Sequence, residues 1–191
     1  YLSAYWHGAF QGGGVRFCGY QSGSVMGLIK EGKLVNDPFK NVSACDTVPA
    51  KGPVIVSIDQ WIVRRDDLLK RSSLIGIWLK SDEHPEAIAG DLVHLSLIAL
   101  EFPSFRDGRA YSYARLLRDK YDFSGEIRAV GDVLLDQLHF MVRSGFDAFE
   151  VESEDPLGAY NIAAADYSVW YQQTGDGRLS AAELRDKGVR R

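Results

Sequence analysis

Two short stretches carry most of the residues that could do chemistry. The first is Arg106-Asp107-Gly108-Arg109, followed by Ser112 and Arg115. Two arginines flank a turn just before an apparent helix start, where unpaired N–H groups and the helix dipole favour an anion. An arginine fork holds a phosphate, sulfate or carboxylate through two parallel bonds. The competing reading of the same residues is a solvated turn with Asp107 capping the helix. The second stretch is Gly131-Asp132, with Gln137 further on. Asp132 reads as a helix N-cap, or as a carboxylate beside a ligand. Arg128 lies inside an apolar strand, where an unpaired charge is costly. The sequence offers it Glu101 on a neighbouring strand as a partner, or a place in a site.

Several other chemistries are excluded. The four histidines, His7, His84, His94 and His139, show no metal-binding spacing. Cys18 and Cys45 form neither a CxxC motif nor a disulfide framework, a pattern that fits a reduced cytosolic protein. There is no GxSxG elbow and no P-loop lysine, so no catalytic residue is assigned. The Gly12-Gly13-Gly14 run lacks a preceding strand and has Phe17 where a dinucleotide fingerprint needs glycine. Asp176 to Glu183 imitates half of a calcium loop, but Gln172 and Thr174 stand at its first ligand positions. Ser180 as N-cap with Glu183 three residues later explains that stretch better. No metal and no cofactor are expected.

The elements that position these residues follow from apolar patterning. Leu28 to Val35, broken at Gly32, reads as a hairpin. A repeat then begins. Strands are expected at 54–58, 74–79, 95–102, 126–130 and 147–151, and helices at 59–71, from His84, and at 109–121, 133–144 and 157–172. Pro85 suits a first helical turn and Gly145 a helix C-terminus. About five strand–helix units imply an α/β fold, a mainly parallel sheet with helices on both faces. A half-barrel of the same units is the alternative. Such sheets bind ligands beyond the carboxyl ends of their strands, which selects the loops after 102, 130 and 151.

At 191 residues the chain suffices for one such domain, placed at 26–175, before a charged tail at 176–191. Residues 1–25 hold one charged residue, Arg16, and read as a non-native or flexible extension, with Met26 as the start. A net charge of -4 gives no basic footprint for nucleic acid. No apolar run reaches the roughly 18 residues of a membrane span.

The phrases FPSFRDGRAYSYARLLR (102–118), GEIRAVGDVLLDQLHF (125–140) and GFDAFE (145–150) resemble a bacterial family, domain of unknown function 934. LIKEGKLVNDPF (28–39) and YSVWYQ (167–172) resemble it too, so the likeness runs from about Met26 to Gln173. The resemblance implies a role in sulfate and sulfite reduction, because members are encoded beside sulfite reductase genes and are labelled oxidoreductases. The residues themselves show no flavin or nicotinamide fingerprint, paired cysteines, or iron–sulfur ligand set. Two readings follow. One is an accessory protein of sulfite reductase. The other is an enzyme or binding protein for a small sulfated or phosphorylated anion.

Overall fold

A computed structural model describes residues 26–188, apart from 46, 154, 166–168 and 175–177. The expectations for residues 1–25, including the Gly12-Gly13-Gly14 run, and for Asp176 and Gly177 lie outside the described residues.

The hairpin forms as expected. β1 (Met26–Lys30) and β2 (Lys33–Val35) pair antiparallel. Glu31 and Gly32, at φ 51° and 72°, make the two-residue turn that matches strand twist. After β3 (Lys40–Asn41) come five strand–helix units. β4 (Val54–Ser57) leads to α1 (Ile58–Leu69), and β5 (Ile75–Leu79) to the 3-10 helix Pro85–His94. β6 (Leu97–Phe102) leads to α2 (Arg109–Asp119), β7 (Glu126–Gly131) to α3 (Leu138–Ser144), and β8 (Ala148–Glu152) to α4 (Pro156–Ala165). α5 (Ala181–Asp186) follows, with Ser180 and Glu183 in the expected capping box.

The sheet order is β2-β1-β8-β7-β6-β5-β4-β3, with β3 to β8 parallel and in chain order. Chain-order strands joined by crossovers of one hand send every helix to the same side. The core agrees. Val54, Val56, Ile77, Ile98, Leu100, Ile127, Ala129 and Phe149 bury one sheet face against Trp61, Ile88, Ala114, Leu117 and Met141 of the helices. The other face buries Ile55, Leu97, Ala99 and Val130 with Phe39 and Trp78, and no described helix residue joins that cluster. The α/β class holds, and the arrangement is the half-barrel.

The curl follows from a short link. β2 and β3 are the two edges of the sheet, yet only Asn36 to Phe39 separate them. Five Cα steps reach roughly 18 Å. A flat sheet of eight strands would hold its edges roughly 34 Å apart. The sheet therefore folds toward itself, and its inner face is buried without helices.

Besides the short β3, which the sequence did not predict, three elements differ from the sequence reading. After Asp132 the Val133 N–H donates to the Gly131 carbonyl at 2.9 Å, Leu134 is extended, and a 3-10 turn follows at Leu135–Gln137, so the helix starts only at Leu138. The segment from His84 is a 3-10 helix with His84 as its cap, accepting the Glu86 N–H at 3.2 Å. The helix expected at 157–172 ends at Ala165.

Candidate functional site

The carboxyl ends of β5, β6 and β7 bring together the loops selected by sequence. Phe102 ends β6, and Pro103 to Gly108 turn back into α2. Two bonds from Asp132 fix this turn. Its N–H donates to the Phe102 carbonyl at 2.8 Å, and its Oδ2 accepts the Phe105 N–H at 2.8 Å. Asp132 is thus a clamp between two loops and not the helix N-cap expected from its place in sequence. Gly131, at φ 91°, makes the close approach possible. A Cβ there would stand 2.5 Å from the Phe102 carbonyl oxygen.

Asp107 and Arg109 form the electrostatic centre of the loop. Asp107 Oδ1 accepts the Arg109 N–H at 3.2 Å, at the first residue of α2. Its carboxylate also takes the Arg109 guanidinium, with Nη2 to Oδ2 at 2.6 Å and Nε to Oδ1 at 3.0 Å. The Arg109 side chain holds the Asp107 carboxyl well below the usual carboxylate range, with help from the Arg109 N–H. The anion that this helix start attracts is the chain's own Asp107. Arg109 Nη2 also donates to the buried Ser81 Oγ at 2.9 Å, and Tyr113 Oη donates to the Ser81 carbonyl at 3.2 Å. Ser81 follows β5, so it ties a third strand end into the cluster.

The other residues singled out are spread around this centre. Gly108 immediately precedes α2. Arg106 is exposed, and its guanidinium lies 5.4 Å from the centre of the Phe105 ring, which is 44% exposed. Ser112 is exposed, one turn into α2. Arg115 pairs with Asp119 at 2.6 Å along the helix. Gln137 accepts from Tyr111 Oη at 3.3 Å. Burial, then the charge of Asp136, push the Tyr111 hydroxyl up to about 12, and its ring packs edge-on to Phe102 at 5.3 Å.

Arg128 stands apart, on the inner face of the curled sheet and 1% exposed. Its partner is not Glu101, which instead accepts from Trp78 Nε1 at 3.2 Å. Arg128 grips Asp37 with both terminal nitrogens, at 2.6 and 3.1 Å. It also reaches Glu126 at 2.9 Å and Glu150 at 3.2 Å. Burial alone would lower the arginine pKa, but Asp37 and Glu126 overcome it and hold the pKa above its usual value. Burial raises the Glu150 carboxyl, against the pull of Arg128. These are the contacts of a structural cluster closing the inner face.

Sequence reading missed Ser81, Tyr113, Asp37, Glu126 and Glu150. Ser81 and Asp37 sit in connecting segments with no motif. Glu126 and Glu150 did carry a signal, since each is a charge in a strand whose neighbours are apolar. Among the described residues, no group of three or more His, Cys, Asp or Glu is placed to hold a metal ion. No described helix is long and apolar enough to cross a membrane.

Comparison with known proteins adds one finding. No curated protein and no solved structure matches the chain. The model of a bacterial protein family of unknown function (DUF934) matches residues 76–181, more than half of the 191, and takes in β6, α2, β7 and the clamp residues Gly131 and Asp132. The chain therefore belongs to that family of bacterial proteins of unknown function.

Proposed function

We propose that this protein is an accessory factor of sulfite reduction that docks on sulfite reductase through its β6–α2 loop. The observation that carries the docking surface is the pairing of an exposed Phe105 with Arg106 on a turn pinned by Asp132. Aromatic residues and arginine dominate binding energy at protein interfaces, and a fixed turn loses little entropy on docking. The family resemblance supplies the choice of partner. The small-anion reading is weaker, because Asp107 already fills the helix start and takes the Nε–Nη2 edge of the Arg109 guanidinium.

Sizing chromatography of the purified chain with sulfite reductase from the same host tests this. A stable complex is expected, and Phe105→Ala with Arg106→Ala should weaken it roughly tenfold or more. Independent elution of the wild-type chain would overturn the proposal. A thermal shift with sulfite or sulfate that Arg109→Ala abolishes would favour the anion reading instead.

A further inference from the structure

We propose that a cavity at the opposite end of the strands binds a small organic amine, an ammonium carried on an apolar stem. The cavity holds about 390 Å³, within the range of small-molecule sites. It opens between the β1–β2 turn, the starts of β7 and β8, and the helices α3 and α4. This place is remote in the fold from the β6–α2 loop, so the inference does not rest on the docking proposal.

The lining divides into two parts. Val142, Phe146, Phe149 and Tyr160 supply an apolar wall, with the Phe149 and Tyr160 rings 6.3 Å apart. Lys30, Glu31, Glu126 and Asp147 supply the charged groups; Glu126 and Asp147 are each already bonded to a cation, and Glu31 forms no ion pair among the described residues. That lysine is already committed. Lys30 Nζ donates to Glu126 Oε2 at 2.7 Å, and this bond and charge raise its pKa. The other Glu126 oxygen holds Arg128. An incoming anion would have to break the Lys30–Glu126 pair and face the remaining carboxylates.

A cation meets the reverse situation. Asp147 accepts the Arg118 guanidinium and the Ile127 N–H on the same oxygen, Oδ2, which leaves Oδ1 without a hydrogen bond among the described residues. Glu31 makes no side-chain hydrogen bond among the described residues, and its φ of 51° places it at the tip of the hairpin turn beside the cavity. A glutamate is an unfavourable choice for that backbone, where glycine or asparagine is the usual occupant. Phe146 and Phe149 are buried, so the half-buried Tyr160 ring is the aromatic surface that an ammonium on a hydrocarbon body would meet beside these carboxylates.

Three probes of one shape decide it: 3-phenylpropylamine, 3-phenylpropanol and 3-phenylpropionate, titrated into the full chain by NMR. The amine should bind at least about tenfold more tightly than the carboxylate, because only it gains charge-assisted bonds. Glu31→Gln should weaken the amine by about threefold or more and leave the alcohol unchanged. Ser124→Trp, at an exposed rim position, should abolish binding of all three. N-acetyl-lysine methylamide serves as the arm for a peptide side chain, and tighter binding of it than of phenylpropylamine would reassign the source of the ammonium. The proposal falls if the amine does not bind, if the carboxylate binds as well, or if Ser124→Trp binds like wild type.

Discussion

The arginine in β7, open in sequence to a structural or a functional reading, is held in the fold by three carboxylates. A charge inside an apolar strand is legible in sequence, and so is its need for partners. Which partners it takes is not legible, because Asp37 lies 91 positions away and meets it only when the sheet curls. Removing one member of such a cluster is far costlier than replacing all of it. Arg128→Met should therefore cost about 3–5 kcal/mol at pH 7. The pH dependence has a definite sign. Glu150 already has a raised folded pKa, so its stabilising effect belongs to low pH and is lost as pH rises through that value. Without Arg128 nothing opposes the rise, so the deficit of the variant should shrink as pH falls from 7 toward 5. Urea unfolding at the two pH values measures this. An equal deficit at both would mean that lost packing, not charge, is the cause.

At the scale of elements, the helix ends show what spacing alone can and cannot tell. Ser180 with Glu183 was legible as a capping box and forms one. Ser57 with Gln60 makes the same box at α1, but the serine closes an apolar strand and reads as part of it. Asp132 had the opposite fate. It looked like a cap, but Leu134 remains extended, and the Asp132 carboxylate turns to the Phe105 amide instead. The clamp depends on Gly131, where both a positive φ and the Phe102 carbonyl exclude a side chain. Gly131→Ala should destabilise the protein by about 1–3 kcal/mol and speed hydrogen exchange at the Phe105 amide. Loss of stability with unchanged exchange there would separate the glycine from the clamp.

For the whole molecule, five strand–helix units were legible from alternating apolar runs, and the side of the sheet taken by the helices was not. That choice depends on strand order, which local pattern does not encode. The connection between the sheet edges holds the missing information, since four residues cannot span a flat sheet. Asp37, on this connection, also fastens it to Arg128. Asp37→Asn should leave the far-UV spectrum intact and make the link after Phe39 several-fold more open to chymotrypsin, as local opening predicts. Unchanged cleavage would mean that the shortness of the link holds it in place unaided.

The pairing of β1 with β8 has a consequence for the order in which the protein is made. Ala148 pairs with Lys30 across 118 positions of chain. At roughly 5–20 residues per second, a ribosome needs about 6–24 s to deliver the later strand. Through that interval the earlier hairpin, with Leu28 and Ile29 destined for burial, has an unpaired edge and no neighbour. The β1 edge thus stays open to wrong pairing until β8 is delivered, so this pair of strands closes only late in synthesis.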